Sequence, residues 1–398
     1  MDLPTIPSIG NADPRVVRRA MRDAARQAPA AIEEGSGLVY IFGYDDCRRV
    51  LLDRDLKGGQ LALFDLAGLT EGPLRDWYAG IMFAQDGPPH HRLRKLVSKA
   101  FTPRAVQALR PIAAALIDTR LADLRSAGSG DLVALLHDVP MHVMCVLLGV
   151  PETDVPRFLD WVDALTPVFL VMSDAQIEAA TEAIDALLEY TTDLCRRREA
   201  DPADDLISAL IAAEEDGDRL TRAETAALIA NLLVAGHDTT ASQTCCSSLT
   251  LLQHPQVMAL VRTSEHLLAS ITEETIRFEP SITSSGRVPV ADFEVAGVVW
   301  PPGTFLMCAG ITANRDPAVW DRPDEFLPER FEASGAPKMM SFGAGGHFCL
   351  GAALARMTLE EVVRGVSALA PALAVDADTL KWIAPLGAYP ESLPVTLQ

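Results

Sequence analysis

The stretch SFGAGGHFCLGAALAR, residues 341–356, places three glycines and a histidine ahead of one cysteine and then begins a helix-forming segment. Glycine adopts positive φ angles without strain and lets another group approach the backbone closely, so Gly343, Gly345 and Gly346 predict a tight turn beneath something flat or bulky. Cys349 precedes the helix, where free N–H groups and the positive end of the helix dipole favour a thiolate. A lone cysteine at a helix start is most often a buried structural residue, but the glycine frame favours a thiolate ligand to a large planar metal cofactor.

The composition predicts one large globular unit. The 398 residues are 49% hydrophobic, and no linker, repeat or low-complexity tract divides them, so we expect a single domain over residues 1–398. The chain begins without a secretion signal and carries no apolar stretch long enough to span a bilayer, which predicts a cytoplasmic protein without a membrane anchor. A net charge of −20 disfavours nucleic acid as a partner. Seven cysteines without a C-x-x-C pair indicate neither a disulfide framework nor a zinc knuckle. We also expect the protein to be a monomer.

Helical signals dominate the chain. The strongest begins at Thr221, whose side chain can cap a helix while Glu224 reaches back to the backbone. From Arg222 to about Gln253 the chain has no proline and is apolar on most sides, which predicts a long helix across the middle of the molecule. Further helices are predicted over residues 105–126, 175–198, 264–278 and 350–369. Strand signals are short and lie near residue 40, between residues 284 and 308, and at the C-terminus, where ESLPVTLQ is expected to form an edge strand. The fold class is therefore mainly α with a minor peripheral β-sheet.

The predicted central helix contains an unusual segment, VAGHDTTAS, at residues 234–242. A glycine such as Gly236 costs about 1 kcal/mol relative to alanine in a helix interior. Thr239 and Thr240 can bond to carbonyls one turn back, which bends helices. Taken alone, the segment indicates a slightly strained core helix.

Together with the cysteine loop, these motifs resemble the cytochrome P450 enzymes, a family of haem-thiolate monooxygenases. The family pattern F-G-x-G-x-H-x-C-x-G is matched at every fixed position, namely at Phe342, Gly343, Gly345, His347, Cys349 and Gly351. The resemblance covers nearly the whole chain and implies the P450 fold, with the long central helix lying over haem b. It implies that Cys349 is the axial iron ligand, that Phe342 packs beside the sulfur and that His347 approaches a haem propionate. An electron-rich thiolate ligand favours O–O cleavage.

The resemblance also implies roles for residues outside the loop. Asp238 and Thr239 match the acid and alcohol that relay protons to oxygen, and Ala235 and Gly236 match the groove that leaves room for oxygen against the haem. The implied propionate contacts are His90, Arg94 and Arg287.

A charge cluster is expected to be structural. Glu274 and Arg277 are three residues apart on one predicted helix, so their side chains meet on one face. The resemblance implies that Arg330 joins them. Loss of one partner from such a trio, if it is buried, costs about 3 to 5 kcal/mol.

A local reversal of charge suggests a docking surface. No acidic residue occurs between Asp86 and Asp118, whereas six basic residues do. A solvated helix face is the ordinary interpretation. The family, however, receives electrons from a small acidic ferredoxin, which takes them from NAD(P)H through its reductase, and a basic patch would attract such a partner. We therefore expect Arg92, Lys95 and Lys99 to form the docking surface.

The substrate is expected to be an apolar small molecule, because the positions that line the pocket in the family are mostly apolar here. These positions are Val168, Phe169, Leu232, Ala235, Ile282, Thr283 and Ala388. Three functions remain open at this point: an O2-dependent monooxygenase that hydroxylates or epoxidises its substrate, a peroxygenase driven by H2O2, and a non-catalytic haem protein. Retention of Asp238 and Thr239 favours the monooxygenase.

Overall fold

The structure is a computed structural model that describes residues 3–8, 12–215, 217–332 and 335–397, and helices make up most of it. The α-helices of these residues are α1 (Pro14–Ala25), α2 (Tyr44–Leu52), α3 (Leu61–Leu66), α4 (Pro73–Gly80), α5 (Gly87–Ala100), α6 (Pro103–Ala108), α7 (Arg110–Ala127), α8 (Leu132–Leu136), α9 (Val139–Leu148), α10 (Val155–Leu165), α11 (Asp174–Ala200), α12 (Leu206–Ala212), α13 (Arg222–Gln253), α14 (Pro255–Thr263), α15 (Leu268–Phe278), α16 (Gly310–Ala313) and α17 (Ala352–Leu369).

The strands are short, two to four residues each. They are β1 (Thr5–Ile6), β2 (Ala30–Glu33), β3 (Val39–Ile41), β4 (Ser129–Asp131), β5 (Glu214–Glu215), β6 (Asp218–Arg219), β7 (Ser284–Arg287), β8 (Phe293–Val295), β9 (Val298–Trp300), β10 (Leu306–Ala309), β11 (Ala372–Leu373), β12 (Trp382–Ile383), β13 (Tyr389–Pro390) and β14 (Pro394–Thr396). The predicted fold class, mainly α with a minor sheet, is confirmed.

Helix α13 crosses the molecule as predicted and has the predicted bounds. The Thr221 hydroxyl accepts from the Glu224 N–H at 3.2 Å, and the Glu224 carboxylate accepts from the Thr221 N–H at 2.7 Å, which completes the capping box. The helix ends before Pro255, which cannot continue the hydrogen-bond ladder. Along its length α13 packs against α9, α11, α15 and α17. Residues from both halves of the chain therefore meet on one central element.

Two helix predictions need correction. The helix predicted over residues 105–126 is two helices, α6 and α7, separated at Leu109. The proline at position 111 lacks an N–H to bond to the turn before it, so the α6 ladder cannot pass through it. The helix predicted from residue 264 begins at Leu268, after a 3₁₀ turn over Glu265–Leu267. The other two predicted helices, now α11 and α17, begin and end within two residues of the expected positions.

The largest sheet lies to one side of the helices, with strand order β1-β2-β3-β10-β7. Strand β7 pairs only with β10 in this sheet and is therefore an edge strand, a place that suits the proline two residues beyond it, at position 289. The expectation of an edge strand at the C-terminus is wrong, because β14 is the middle strand of a second sheet and pairs with both β11 and β4. The second partner, β4, lies far away in the sequence, and a local pattern cannot reveal that pairing.

The core is built around α13, and smaller apolar clusters lie beneath the large sheet. Within the described ranges, no helix combines the length and the apolar composition needed to cross a bilayer. This fold carries the cysteine loop to the start of α17 and sets the middle of α13 near the centre of the molecule.

Candidate active site

The cysteine loop is a closed turn held by its own backbone. The Cys349 N–H donates to the Phe342 carbonyl at 3.0 Å. Gly343 and Gly345 have φ angles of +67° and +73°, as the glycine pattern predicts. A Cβ on Gly345 would lie 2.6 Å from the carbonyl oxygen of Leu51, so the group that approaches this glycine is the end of α2 and not a cofactor. Glycine is thus required here by the protein's own packing.

The Cys349 side chain differs from those of the other cysteines. All seven cysteines lie in the described part of the chain, and Cys349 alone among them is exposed. The surrounding protein nevertheless raises the pKa of its thiol, because this burial outweighs the N–H groups of Gly351 and Ala352 and the charges of Arg94 and Arg356. The N–H groups at the helix start thus act in the direction that the sequence predicts, towards the thiolate, but they do not outweigh the effect of the surrounding protein. A bound metal ion is what would make this sulfur anionic.

Aromatic and cationic groups pack around the loop. The Arg356 guanidinium lies 4.3 Å from the centre of the Phe342 ring. The Phe342 and Phe348 rings are 6.4 Å apart, and Phe348 is 39% exposed. Phe342 thus packs against Arg356 next to the cysteine turn, and its contact with the sulfur stays a prediction. Arg356, about one turn into α17, is a neighbour that the sequence analysis missed, although its spacing from Cys349 could have indicated it.

His90 and His347 come together next to the loop. Their ring centres are 4.2 Å apart, and His347 Nε2 lies 3.0 Å from the Asp86 carboxylate. His90 is 2% exposed, its Nε2 has no hydrogen-bond partner among the described residues, and burial lowers its pKa to about 4. Asp86, which the sequence analysis used only as a boundary, is therefore the residue that orients His347. Its place directly before the PPHH segment was the available signal.

Arg94 and Arg287 are cations without an acid partner in the described structure. Burial lowers the pKa of both guanidinium groups, and Arg287 donates only to the carbonyl of Gly286, at 2.8 Å. Buried cations and an orphaned imidazole nitrogen are costly unless an anion or acceptor completes them. The residues present therefore fit a planar cofactor with two carboxylates, held by the Cys349 sulfur and by His90, Arg94 and Arg287.

The middle of α13 presents an accessible strip. Ala235 is exposed, and Gly236 and Thr239 are partly exposed, whereas Val234 and Asp238 are buried. The Thr239 hydroxyl donates to the Ala235 carbonyl at 2.8 Å, which is the bond to the preceding turn that the sequence predicts. A Cβ on Gly236 would lie 3.3 Å from the Met144 sulfur. Gly236 therefore also makes room for α9, and the space it leaves does not serve a cofactor alone.

Asp238 is a buried carboxyl without a cationic partner in the described ranges. It is 5% exposed, and its Oδ2 accepts from the Gly387 N–H at 3.1 Å. Burial raises its pKa to about 6, and the nearby charge of Asp163 adds to the shift. Such a carboxyl can hold or release a proton near neutral pH.

The predicted charge trio is present and buried. Arg277 donates twice to Glu274, both times at 2.7 Å, and Arg330 Nε donates to the same carboxylate at 3.1 Å. Arg277 also donates to the carbonyls of Asn314 and Pro323, at 2.8 and 2.9 Å. The trio connects α15 to the loops between β10 and the cysteine turn. Its role is therefore structural.

The predicted docking residues keep accessible surface but are paired within the chain. Arg92 binds Asp218 and Glu224, both at 2.6 Å. Lys95 and Lys99 reach Glu215, and Lys99 also donates to the Glu214 carbonyl at 2.6 Å. The sequence predicted a basic surface without acidic residues nearby. That prediction is wrong, because β5, β6 and the start of α13 place acidic side chains against these residues.

A different surface lies beside the cysteine loop. A groove of about 740 Å³ runs along it and is lined in part by Arg48, Lys338, Phe348 and Arg356. Arg48 and Lys338 are exposed. Sequence reasoning could not find this groove, because its residues come from three distant segments.

The predicted pocket residues fall into two groups. Phe169, Leu232, Ile282 and Thr283 retain partial exposure. The Phe169 ring packs edge-on against Phe83, at 5.8 Å between ring centres. Val168 and Ala388 are buried at 0% and 6% exposure, so their side chains pack against protein in this structure.

The chain is similar to known proteins over most of its length. The family model described as Cytochrome P450 matches residues 34–364. Nocardicin C N-oxygenase of Nocardia uniformis is 38% identical, covering 93% of this chain and 94% of that protein. The 6-deoxyerythronolide B hydroxylase of Saccharopolyspora erythraea is 33% identical, over 86% and 85% of the two chains. The crystal structure of CalO2 superimposes with a TM-score of 0.86 at 30% identity, over 96% of this chain and 97% of that one. The chain belongs to the cytochrome P450 family, whose monooxygenases use haem b, O2 and electrons from redox partners.

Proposed function

We propose that this P450 monooxygenase hydroxylates or epoxidises an apolar small molecule, that it receives electrons from a ferredoxin and its reductase, and that Asp238 and Thr239 deliver protons to the reaction. The observation that carries the proposal is the pairing of a buried carboxyl with an adjacent, accessible hydroxyl at the middle of α13. The proposal treats residues 1–398 as one catalytic domain that works as a monomer in the cytoplasm.

The haem supplies oxygen activation when it is bound, and the Cys349 sulfur is the residue that would hold its iron. His90, Arg94 and Arg287 would bind the carboxylates of the group, since these residues have no acid partner of their own in the described structure. His347 is held by Asp86 at 3.0 Å and supports the ring of His90. These side chains fix the cofactor edge and offset its charge in an apolar slot.

The proton relay uses two groups of this chain. The Asp238 carboxyl, with a pKa raised by burial to about 6, is partly protonated near neutral pH and can give up that proton. The Thr239 hydroxyl donates to the Ala235 carbonyl, so its oxygen keeps lone pairs free to accept a hydrogen bond from water on the accessible side. In this relay, protons pass from the Asp238 carboxyl to the Thr239 hydroxyl through water.

The substrate class follows from the accessible side chains and from the relatives. Phe169, Leu232 and Ile282 offer apolar surface without a charged anchor. The relatives' names describe oxidation of complex molecules: 6-deoxyerythronolide B hydroxylase, and Cyclomarin C epoxidase CymV at 35% identity. We propose a multi-ring or long-chain apolar substrate. A screen for compounds that displace the sixth ligand of the iron, read from the haem absorption spectrum, tests this class directly.

The ferredoxin is proposed to dock at the groove beside the cysteine loop. Its cations, Arg48 and Lys338, are exposed, whereas Arg92, Lys95 and Lys99 are paired with acids of the chain. An Arg48→Glu variant is expected to slow reduction by ferredoxin more than a Lys99→Glu variant does, and the difference should shrink at high salt. Equal effects of the two variants would favour the surface predicted from the sequence.

The central experiment separates the three functions. Reduced protein under carbon monoxide should show the red-shifted Soret band of thiolate-bound haem, and Cys349→Ser should lose that band. Product formation should require ferredoxin and reductase, and Thr239→Ala should divert electrons to H2O2. Equal turnover with H2O2 alone would favour a peroxygenase. Unchanged coupling in Thr239→Ala would contradict the relay.

A further inference from the structure

A cavity of about 390 Å³ lies between α8, α10, α13 and the β12–β13 hairpin, on a flank of α13. Its polar lining consists of His137, Asp138, Asp163, His237, Tyr389 and Glu391. Two further lining residues mark its outer end: Ala134, like Asp163, is exposed, and Leu159 is partly exposed. The cavity is therefore a polar chamber that reaches from solvent to the central helix.

Two histidines inside the chamber have unfilled hydrogen-bonding nitrogens. His237 is 1% exposed, and neither its Nδ1 nor the Nε2 of His137 has a partner in the described structure. Their rings are 5.4 Å apart, and His137 stacks on Tyr389 at 5.2 Å. Burial lowers the pKa of His237 to about 3 and also lowers that of His137, so both rings are neutral. Neutral imidazoles with free nitrogens in a polar cavity of this size are sites for ordered water.

A charged residue that lines the chamber affects the pKa of Asp238. After burial and the hydrogen bond from Gly387, the charge of Asp163 is the next influence on the pKa of Asp238, and it raises that pKa. Burial raises the pKa of Tyr389, and the charges of Asp238 and Asp163 raise it further. The Tyr389 hydroxyl therefore stays protonated. His237 is also the immediate neighbour of Asp238 on α13. The geometric link is the turn between β12 and β13: its Gly387 N–H donates to the Asp238 carboxylate at 3.1 Å, and Tyr389, two residues further on, lines the chamber.

The other charged groups near the chamber are already occupied. Asp138 is bound by Arg120 at 2.6 Å and by His142 at 3.2 Å. Glu391 lies 3.7 Å from Lys381. Burial keeps the Cys245 thiol protonated on the inner side. Among the lining residues, Asp163 is thus the carboxylate that faces solvent without a cationic partner in the described ranges.

We propose that this chamber is a proton inlet, in which Asp163 collects protons from solvent and water held by His137, His237 and Tyr389 passes them to Asp238. The proposal rests on the proton relay described under the proposed function. For each proton delivered, the Asp163 carboxylate takes up one proton from solvent and passes it along hydrogen-bonded water to the Asp238 carboxylate, and Asp163 returns to its anionic form; each turnover of the monooxygenase uses two such protons. Asp163 and His237 act through Asp238 and do not touch the substrate.

Two variants of the haem-loaded enzyme test the inlet. Asp163→Asn removes the collecting group, and Ala134→Trp narrows the outer end. Each is expected to lower kcat about tenfold and to raise the solvent deuterium isotope effect on kcat, since proton supply becomes slow. Glu294→Gln, in the exposed part of β8 and outside the lining, is the control for loss of one negative charge and should behave as the parent does. Asp160 is not a suitable control, because its charge raises the pKa of Asp163.

A measurement on the resting protein supplies a readout that does not depend on turnover. The infrared band of the protonated Asp238 carboxyl, identified by its loss in Asp238→Asn, is titrated with pH. Its midpoint should move to lower pH in Asp163→Asn, because a nearby negative charge is gone. Glu294→Gln should leave the midpoint close to that of the parent.

The outcomes separate the inlet from the relay. Parental kcat and isotope effect in both Asp163→Asn and Ala134→Trp, with a slow Asp238→Asn, would overturn the inlet and leave the relay standing. If Asp238→Asn itself turns over at the parental rate and isotope effect, the relay fails. An unmoved infrared midpoint in Asp163→Asn would contradict the connection between the two carboxyl groups.

Discussion

Two groups of charged residues, the Glu274–Arg277–Arg330 trio and the Arg92–Lys95–Lys99 segment, lie in opposite environments. Glu274 and Arg277 are 0% exposed and bind each other through two hydrogen bonds of 2.7 Å. Lys95 and Lys99 have side chains that are 64% and 49% exposed and contact an acidic hairpin in solvent. A buried pair that loses one member leaves an uncompensated charge, whereas an exposed pair is replaced by water. The same residue types therefore contribute strongly to the stability of the fold in the buried trio and only weakly in the exposed segment.

The largest expected effect comes from cutting the buried trio. Arg277→Ala should lower the free energy of unfolding by about 3 to 5 kcal/mol, because it leaves the Glu274 carboxylate buried without its partner. Arg92→Ala, at the exposed cluster, should change it by less than about 1 kcal/mol. Urea unfolding followed by circular dichroism measures both values. Similar losses in the two variants would remove the distinction drawn from burial.

A second carboxylate, that of Glu279, extends the comparison to the pH dependence of stability. Burial alone would favour the neutral form of Glu279, but Arg18, Arg22 and Arg315 outweigh it and lower its pKa to about 2. A lowered pKa means that its contribution to stability is complete above about pH 4.5 and is lost as the pH falls toward 2. Glu279→Gln should therefore cost about 3 kcal/mol at pH 7 and progressively less below pH 4.5. Unfolding at several pH values checks this, and a constant difference would contradict it.

Asp238 is the converse case, a buried carboxyl without a cation in the described structure. Because its pKa is raised to about 6, ionisation costs stability as the pH rises from about 4 through 6. Asp238→Asn, which keeps an acceptor for the Gly387 N–H, should be more stable than the parent by about 2 to 3 kcal/mol at pH 8, and the gain should vanish near pH 4. The same variant should lose most of its turnover. A variant that is less stable than the parent at pH 8 would show that the carboxylate has a partner.

The smallest effect is expected at the exposed cluster itself. Glu215→Gln removes the acid that Lys95 and Lys99 share, and it should leave the free energy of unfolding almost unchanged, with any difference shrinking in high salt. Freed from this acid, the two lysines should attract an acidic ferredoxin more strongly at low salt. Surface plasmon resonance with the ferredoxin measures the change. A large loss of stability would mean that the hairpin is held by this contact.

Much of the site could be predicted from the sequence, because it depends on the spacing of residues that are close together in the chain. The run from Phe342 to Gly351 fixes a turn and a cysteine before a helix, and the structure confirms the positive φ angles of Gly343 and Gly345. The capping box at Thr221 and the proline after the helix gave both ends of α13. Three-residue spacing was enough to place Glu274 beside Arg277.

Other features depend on contacts between distant segments and could not be read in advance. The acids that neutralise Arg92 and Lys99 lie more than 100 residues further along the chain. The Leu51 carbonyl that requires glycine at position 345 belongs to α2, and the second partner of β14 comes from residues 129–131. The chamber behind Asp238 is assembled from four elements.

The sequence by itself determined the family, the cysteine that would hold the iron and the acid–alcohol pair on the central helix, because each is written in residues a few positions apart. Only the tertiary structure decided which charges are buried and which are neutralised. Burial and pairing are properties of the packed chain, since they depend on what the rest of the molecule brings to each side chain.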